Sequence, residues 1–378
     1  MKVLFTFHHA ERSGASLWLL NFLLERAQDG LGDVAVLPSE CEMADQLHEA
    51  GVTVECLNVR QVALSRSPVT KAPGILWNRI SSLRGYLRTI RRHAPDVVYI
   101  NSSYQLAPLF AARLAGRPAV VHVHEGQKDS WTFGLKRFCV RRLAAGALFA
   151  ASLAQDLFGG VPPRGKPWAV SPNAADPLPE GVLPSRIELR RKLDLPADAP
   201  VALFLGSLIR RKGVHDLLEA WEGVRERHPG ALLVLAGKED PQDSHPRIAE
   251  FLRSGQEGVC FAGFQRNVQD WLLAADLFVL PSYGEAMPLS IIEAMMWGTP
   301  VVAREAGDVP WLLAEGRGYL CRGEGPEPVQ ETLLEALADE SERACRCARA
   351  REFALANLTR ERQRRQIEEF LHRVAGQR

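Results

Sequence analysis

Short apolar runs alternate with amphipathic stretches along most of the chain. VLFTF (3–7) precedes a helical pattern near 15–29, DVAVL (33–37) precedes one near 42–50, and VTVECL (52–57) follows. DVVYIN (96–101) precedes a helix near 104–115, AVVHVH (119–124) precedes basic helical sequence, and GALFAAS (146–152) comes after it. Strands that are apolar throughout and separated by helices predict a parallel sheet covered on both faces. Between 159 and 185 proline and glycine dominate, and no long element fits. A second series then begins: VALFLG (201–206), a helix 213–228, ALLVLAG (231–237), a helix 246–254 and VCFAG (259–263). It continues with a helix 267–274, LFVLPS (277–282), a helix 288–297 and PVVA (300–303), and charged helical sequence runs from 329 onward. Two such series predict an α/β protein of two Rossmann-like domains facing across a cleft, with ligands at the carboxyl ends of the strands. The expected division is 1–173 for the N-terminal domain, 174–185 for the connection and 186–359 for the C-terminal domain, with a helix about 360–378 packing back on the first.

Composition adds little to this picture, and charge adds more. A chain of 378 residues, 46% apolar and 24% charged, suits two ordinary globular cores. The first apolar run is short and broken by His8 and His9, so it reads as a buried strand rather than a secretory signal. No run approaches the ~18 apolar residues that span a bilayer. Seven scattered cysteines predict a reduced, cytoplasmic protein without structural zinc. The net charge of +1 conceals an asymmetry: residues 1–175 carry +7 and the remainder −6. Residues 60–142 hold 15 basic and 3 acidic residues, a field that favours an anionic partner.

Two segments carry candidate chemistry. In LFLGSLIRRKGVHDLLEAW, Gly206 ends a strand, and Ser207, Arg210, Arg211, Lys212 and Gly213 lead into a helix. Cations beside a helix N-terminus form a natural phosphate site, although a solvated basic turn has the same appearance. The spacing is not that of a Walker loop. In PSYGEAMPLSIIEAMMWGTPVVA, Glu285 lies in a loop after a buried strand and Glu293 on the next helix. The two helical turns between them advance ~12 Å, enough for one carboxylate to reach a sugar and the other a ribose across a diphosphate. Gly284 and Ala286 leave room for backbone N–H groups to approach a ligand, and Pro288 fits the first turn. Glu293 is flanked by Ile291, Ile292, Ala294, Met295 and Met296, and a carboxylate in so apolar a helix needs a partner.

Gly206 through Gly213, the Glu285-x7-Glu293 pair, the trailing Gly298-Thr-Pro-Val-Val-Ala and Gly307 resemble the retaining glycosyltransferases of family 4, with the GT-B fold. The resemblance implies a nucleoside-diphosphate-sugar donor as co-substrate bound mainly by the C-terminal domain, with an acceptor-side N-terminal domain. It also implies retention of anomeric configuration and no required metal or other cofactor. By position it gives Arg211 and Lys212 to the diphosphate, Glu293 to the ribose and Glu285 to the donor sugar. Backbone N–H groups of Met287 and Leu289, around Pro288, would face sugar or phosphate. Ser207 stands where many members have Arg, and Arg210-Arg211 would supply that charge.

The N-terminal domain gives weaker signals. The loop His8 to Ser16, with Ser13 and Gly14, resembles the family's small-residue loop near phosphate and acceptor, and equally reads as a plain Ser/Gly cap. His124 ends a strand and matches a family histidine that contacts the donor sugar, with Glu125 beside it. Asn173 matches a turn asparagine, with Ala174 in place of Gly. Phe264 reads either as a nucleobase contact or as core. The stretches 75–93 and 131–146 are amphipathic and basic. They read as core-facing helices with a solvated face, or as a contact with anionic lipid at the inner membrane face or with an anionic acceptor. No nucleic-acid-binding module accompanies the charge. The expected acceptor is a glycan, a lipid-linked glycan or a small molecule. A nucleotide-sugar 2-epimerase of the same fold and a non-catalytic sugar-nucleotide-binding protein are the alternatives.

Overall fold

The computed structural model describes residues 1–10, 14–57, 72–124, 133–179, 181, 184–240 and 243–376, with 72–81 as helical backbone only. Glu125, Ser13 and Trp131 lie outside these residues. The chain forms two compact units, Met1–Pro172 with Arg364–Arg378, and Asn173–Gln363.

Among the described residues the first unit has seven parallel strands: β1 (Val3–Thr6), β2 (Val34–Leu37), β3 (Thr53–Cys56), β4 (Val97–Ile100), β5 (Ala119–Val123), β6 (Gly146–Phe149) and β7 (Trp168–Val170). Their order is β3-β2-β1-β4-β5-β6-β7. Every residue of β1, β2, β4, β5 and β6 is buried, which is why these strands read as unbroken apolar runs. Helices Gly14–Ala27 and Glu42–Glu49 link β1 to β3, and helices Ala72–His93, Leu106–Leu114 and Phe133–Leu143 carry the chain on to β6. Right-handed crossovers put these two groups on opposite faces. Helix Arg360–Ala375 adds Ile367, Phe370, Leu371 and Val374 to the core formed by Phe5, Leu19, Phe22 and Leu23. The buried Arg26 pairs with Asp33 at 2.7 Å and with Glu368 of that helix at 3.1 Å.

The second unit has β8 (Val201–Leu205), β9 (Leu232–Ala236), β10 (Val259–Gly263), β11 (Leu277–Leu280), β12 (Val301–Arg304) and β13 (Tyr319–Cys321), in the order β10-β9-β8-β11-β12-β13. In both units the order reverses direction beside the first strand, so a crevice opens between the loops after β1 and β4, and between those after β8 and β11. The charged stretch from 329 is broken into helices Glu327–Ala338, Glu340–Asn357 and Arg360–Ala375.

Candidate active site

In the second unit, the two segments singled out in the sequence flank the point where strand order reverses. After β8 the chain makes a 3-10 turn, Arg210–Lys212, and Gly213 then opens helix Val214–Arg227 with φ +69°. A Cβ on Gly213 would lie 2.0 Å from the Pro281 carbonyl oxygen, so only glycine lets this loop rest on the one after β11. The contact brings the cations to the carboxylate. Lys212 Nζ lies 2.6 Å from Glu285 Oε1, and Arg211 lies 3.9 Å from the same oxygen. Arg211 also donates to the Gly284 carbonyl. Lys212 and Glu285 are largely buried, whereas Arg211 is 41% exposed.

The loop 284–288 is held by its carbonyls. Arg211 takes that of Gly284, the Asp308 N–H that of Ala286 at 3.0 Å, and Asn173 Nδ2 that of Met287 at 2.7 Å. Gly307 is pressed so close that a Cβ there would meet the Glu285 oxygen at 2.2 Å. Among the described residues no protein acceptor takes the N–H groups of Ala286, Met287, Leu289 or Ser290. Those of Leu289 and Ser290 open helix Leu289–Trp297, so the turn offers donors to an anion. Pro288 is the N-cap, one position before the first helical turn expected for it, because its ψ of 117° is extended rather than helical.

Glu293 stands on that helix among Ile291, Ile292, Ala294, Met295 and Met296, all fully buried. The partner expected for its carboxylate is not there: among the described residues it makes no hydrogen bond or ion pair, and burial pushes its pKa up to about 7, against a weaker pull from Arg360. Phe264, just beyond β10, is 60% exposed with Lys238 Nζ 4.8 Å from its ring centre, which removes the core-packing reading. Ser207 and Arg210 are exposed.

A buried network behind the loop was not foreseen. Arg304, at the end of β12, donates to Asp216 at 2.6 Å, to the carbonyls of Pro281 and Gly325 at 3.1 and 2.9 Å, and to that of Gly323. Tyr283 donates to Asp216 at 2.5 Å, and the Arg304 guanidinium lies 4.2 Å from the Tyr283 ring centre. One buried ion pair thereby fastens the β11 loop to the first turn of helix Val214–Arg227. The sequence signal was an arginine closing an apolar strand, PVVAR.

In the first unit, His124 follows β5 and faces Asn101, which follows β4. Asn101 Nδ2 donates to the Ala15 carbonyl at 2.9 Å, leaving Oδ1 to accept from His124 Nε2 at 2.7 Å. His124 is therefore the Nε2–H tautomer, and burial lowers its pKa to about 4, so the ring is neutral near pH 7. The same asparagine anchors the loop at Gly14, which is exposed and is the first residue of helix Gly14–Ala27. His8 is also held neutral, its pKa lowered to about 4 by burial, His9 and Lys136. The site residues thus fall into two groups: Gly14 and His124 in this unit, the others in the second.

Two Rossmann-like units with these strand orders have well-aligned counterparts among solved structures. Anabaena Alr3699/HepE, crystallised with UDP-glucose, superimposes with a TM-score of 0.80 over 98% of this chain and 99% of that one, at 22% identity. The fold is GT-B. Residues 185–353 match the model for glycosyl transferases group 1, and residues 13–157 match that for the glycosyl transferase 4-like domain. The lipopolysaccharide core biosynthesis glycosyltransferase LpsE of Rhizobium meliloti (strain 1021) is 35% identical over 174 residues, 46% of this chain and 49% of LpsE. A D-inositol 3-phosphate glycosyltransferase of Corynebacterium aurimucosum is 27% identical over 279 residues, 69% of this chain and 63% of that protein. The matched stretches thus span about half to two thirds of these two relatives.

Proposed function

We propose that the chain is a retaining glycosyltransferase that moves a sugar from a nucleoside-diphosphate sugar to an acceptor in glycoconjugate biosynthesis. The observation that carries this reading is the convergence of Lys212, Arg211 and Glu285 beside a turn with unused N–H groups, with the unpaired Glu293 on the helix that follows. Matches to glycosyltransferase models in both halves of the chain support it.

Breaking the bond between the anomeric carbon and the phosphate oxygen leaves growing negative charge on the diphosphate. Lys212, Arg211 and the N–H groups of Met287 and Leu289 stabilise that charge where it develops, which is the role a metal ion has elsewhere. Glu285 accepts from donor-sugar hydroxyls and holds Lys212 in place. Glu293 accepts from the ribose hydroxyls, and Phe264 offers a face to the base. The acceptor hydroxyl attacks from the side the diphosphate leaves, and its proton passes to a phosphate oxygen.

A hydrolysis and transfer screen across UDP-, GDP- and ADP-sugars tests the reading. Turnover of one donor class, unaffected by a chelator and giving a product with the donor's anomeric configuration, is expected. No turnover of any donor, complete loss with EDTA, or an inverted product contradicts it in turn for donor use, metal independence and stereochemistry.

A further inference from the structure

Three consecutive helices on one face of the first unit's sheet, Ala72–His93, Leu106–Leu114 and Phe133–Leu143, contain ten Lys and Arg and no Asp or Glu. A face that merely needs solvation mixes both signs; the short helix Ser152–Leu157 that follows on this face adds only Asp156, so the layer is strongly cationic and points to an anionic partner. The same layer exposes large apolar side chains. Phe110 is 41% and Leu114 61% exposed, one turn apart on their helix. Leu135 is 52% and Phe138 63% exposed, also one turn apart on the next. Cations recur among them: Arg113 lies one turn beyond Phe110 and Arg142 one turn beyond Phe138, so each pair lies on one side of its helix. Arg113, Arg137 and Arg142 have no acidic partner among the described residues.

The two helices bring these groups together. Lys166 donates to the carbonyls of Arg141 and Arg142 at 3.0 and 2.7 Å, and its ammonium pKa is lowered by burial and then by Arg142 and Arg113. Arg113 and Arg142 therefore reach the same neighbourhood from different helices. The arginines at 84, 88 and 91 extend the positive face, while Arg92 pairs with Glu55 at 3.0 Å.

We propose that this face docks on an anionic lipid bilayer, with Phe110, Leu114, Leu135 and Phe138 entering the acyl boundary and Arg113 and Arg142 meeting the headgroups. Charge complementarity calls for an anion, and four exposed phenylalanine and leucine side chains select a bilayer over a polyanion, which has no apolar phase to receive them. No described helix is long and apolar enough to cross a membrane, so the contact is peripheral.

Co-sedimentation tests this. The full chain is mixed with vesicles of phosphatidylcholine alone or with about one third phosphatidylglycerol. Binding to the anionic vesicles only is expected, weakening between about 0.1 and 0.5 M salt. Arg113→Gln with Arg142→Gln lowers the partition constant about 30-fold, the effect of two charges near such a surface. Serine at 110, 114, 135 and 138 lowers it at least about tenfold while every charge remains. In a Phe138→Trp variant, emission is quenched by lipids brominated on the chains. Equal binding to both vesicle types, or none to either, overturns the proposal. So does an unquenched tryptophan in sedimented protein, no effect of the serine variant, or tighter binding to single-stranded nucleic acid than to vesicles. The assay contains neither donor nor acceptor, and donor affinity measured on the same variants keeps its outcome separate from that of the transfer reading.

Discussion

At the residue scale, Glu293 has the least ordinary environment. Its folded pKa of about 7 exceeds the unfolded value near 4.5, so the native state binds the extra proton between these limits. The contribution to stability is full below about pH 4.5 and is lost as pH rises through 7. Glu293→Gln should therefore nearly match wild type near pH 4.5 and exceed it by about 3 kcal/mol at pH 8, measured by denaturant unfolding. A constant difference at both pH values contradicts the assignment. The same carboxylate should strengthen nucleotide-sugar binding as pH passes 7, and a 2′,3′-dideoxy donor should lose that dependence. The Arg304–Asp216 pair has the opposite character. Arg304→Leu strands a buried carboxylate and should cost about 3–5 kcal/mol. A loss under 1 kcal/mol in thermal or chemical unfolding would show that the pair is dispensable.

At the scale of elements, the reach of the sequence can be stated physically. Strands β1, β2, β4, β8, β9 and β11 were legible because burial on both faces leaves continuous apolar runs. The edge strands β7 and β13, three residues each, were not, because so short a run between loops has no periodicity. The 3-10 turn Arg210–Lys212 was equally hidden, as was the Asn173 bond to Met287, whose partners lie 114 residues apart. What the sequence did disclose was the pair of segments around Lys212 and Glu285. What it could not disclose was how they are joined, since Gly213 on Pro281 and Arg304 on Asp216 are tertiary contacts. Gly213→Ala should force the two loops apart, lowering nucleotide affinity and costing about 1–3 kcal/mol of stability. An alanine variant with wild-type unfolding and binding would deny that the close approach matters.

At the scale of the molecule, the two units carry different chemistry. The second concentrates cations, carboxylates and free N–H groups at one sheet edge, and the first carries neutral histidines at the corresponding edge and a cationic, partly apolar helical face. The central claim is that the second unit's edge holds a nucleoside diphosphate. Titration calorimetry of the chain and of Lys212→Ala with UDP, GDP and ADP tests it most directly. One nucleotide should bind wild type with metal chelated, and the folded variant should lose affinity by about 1.5–3 kcal/mol, the range for a hydrogen bond to a charged group. Binding of no nucleotide, or equal affinity in wild type and Lys212→Ala, would contradict the account.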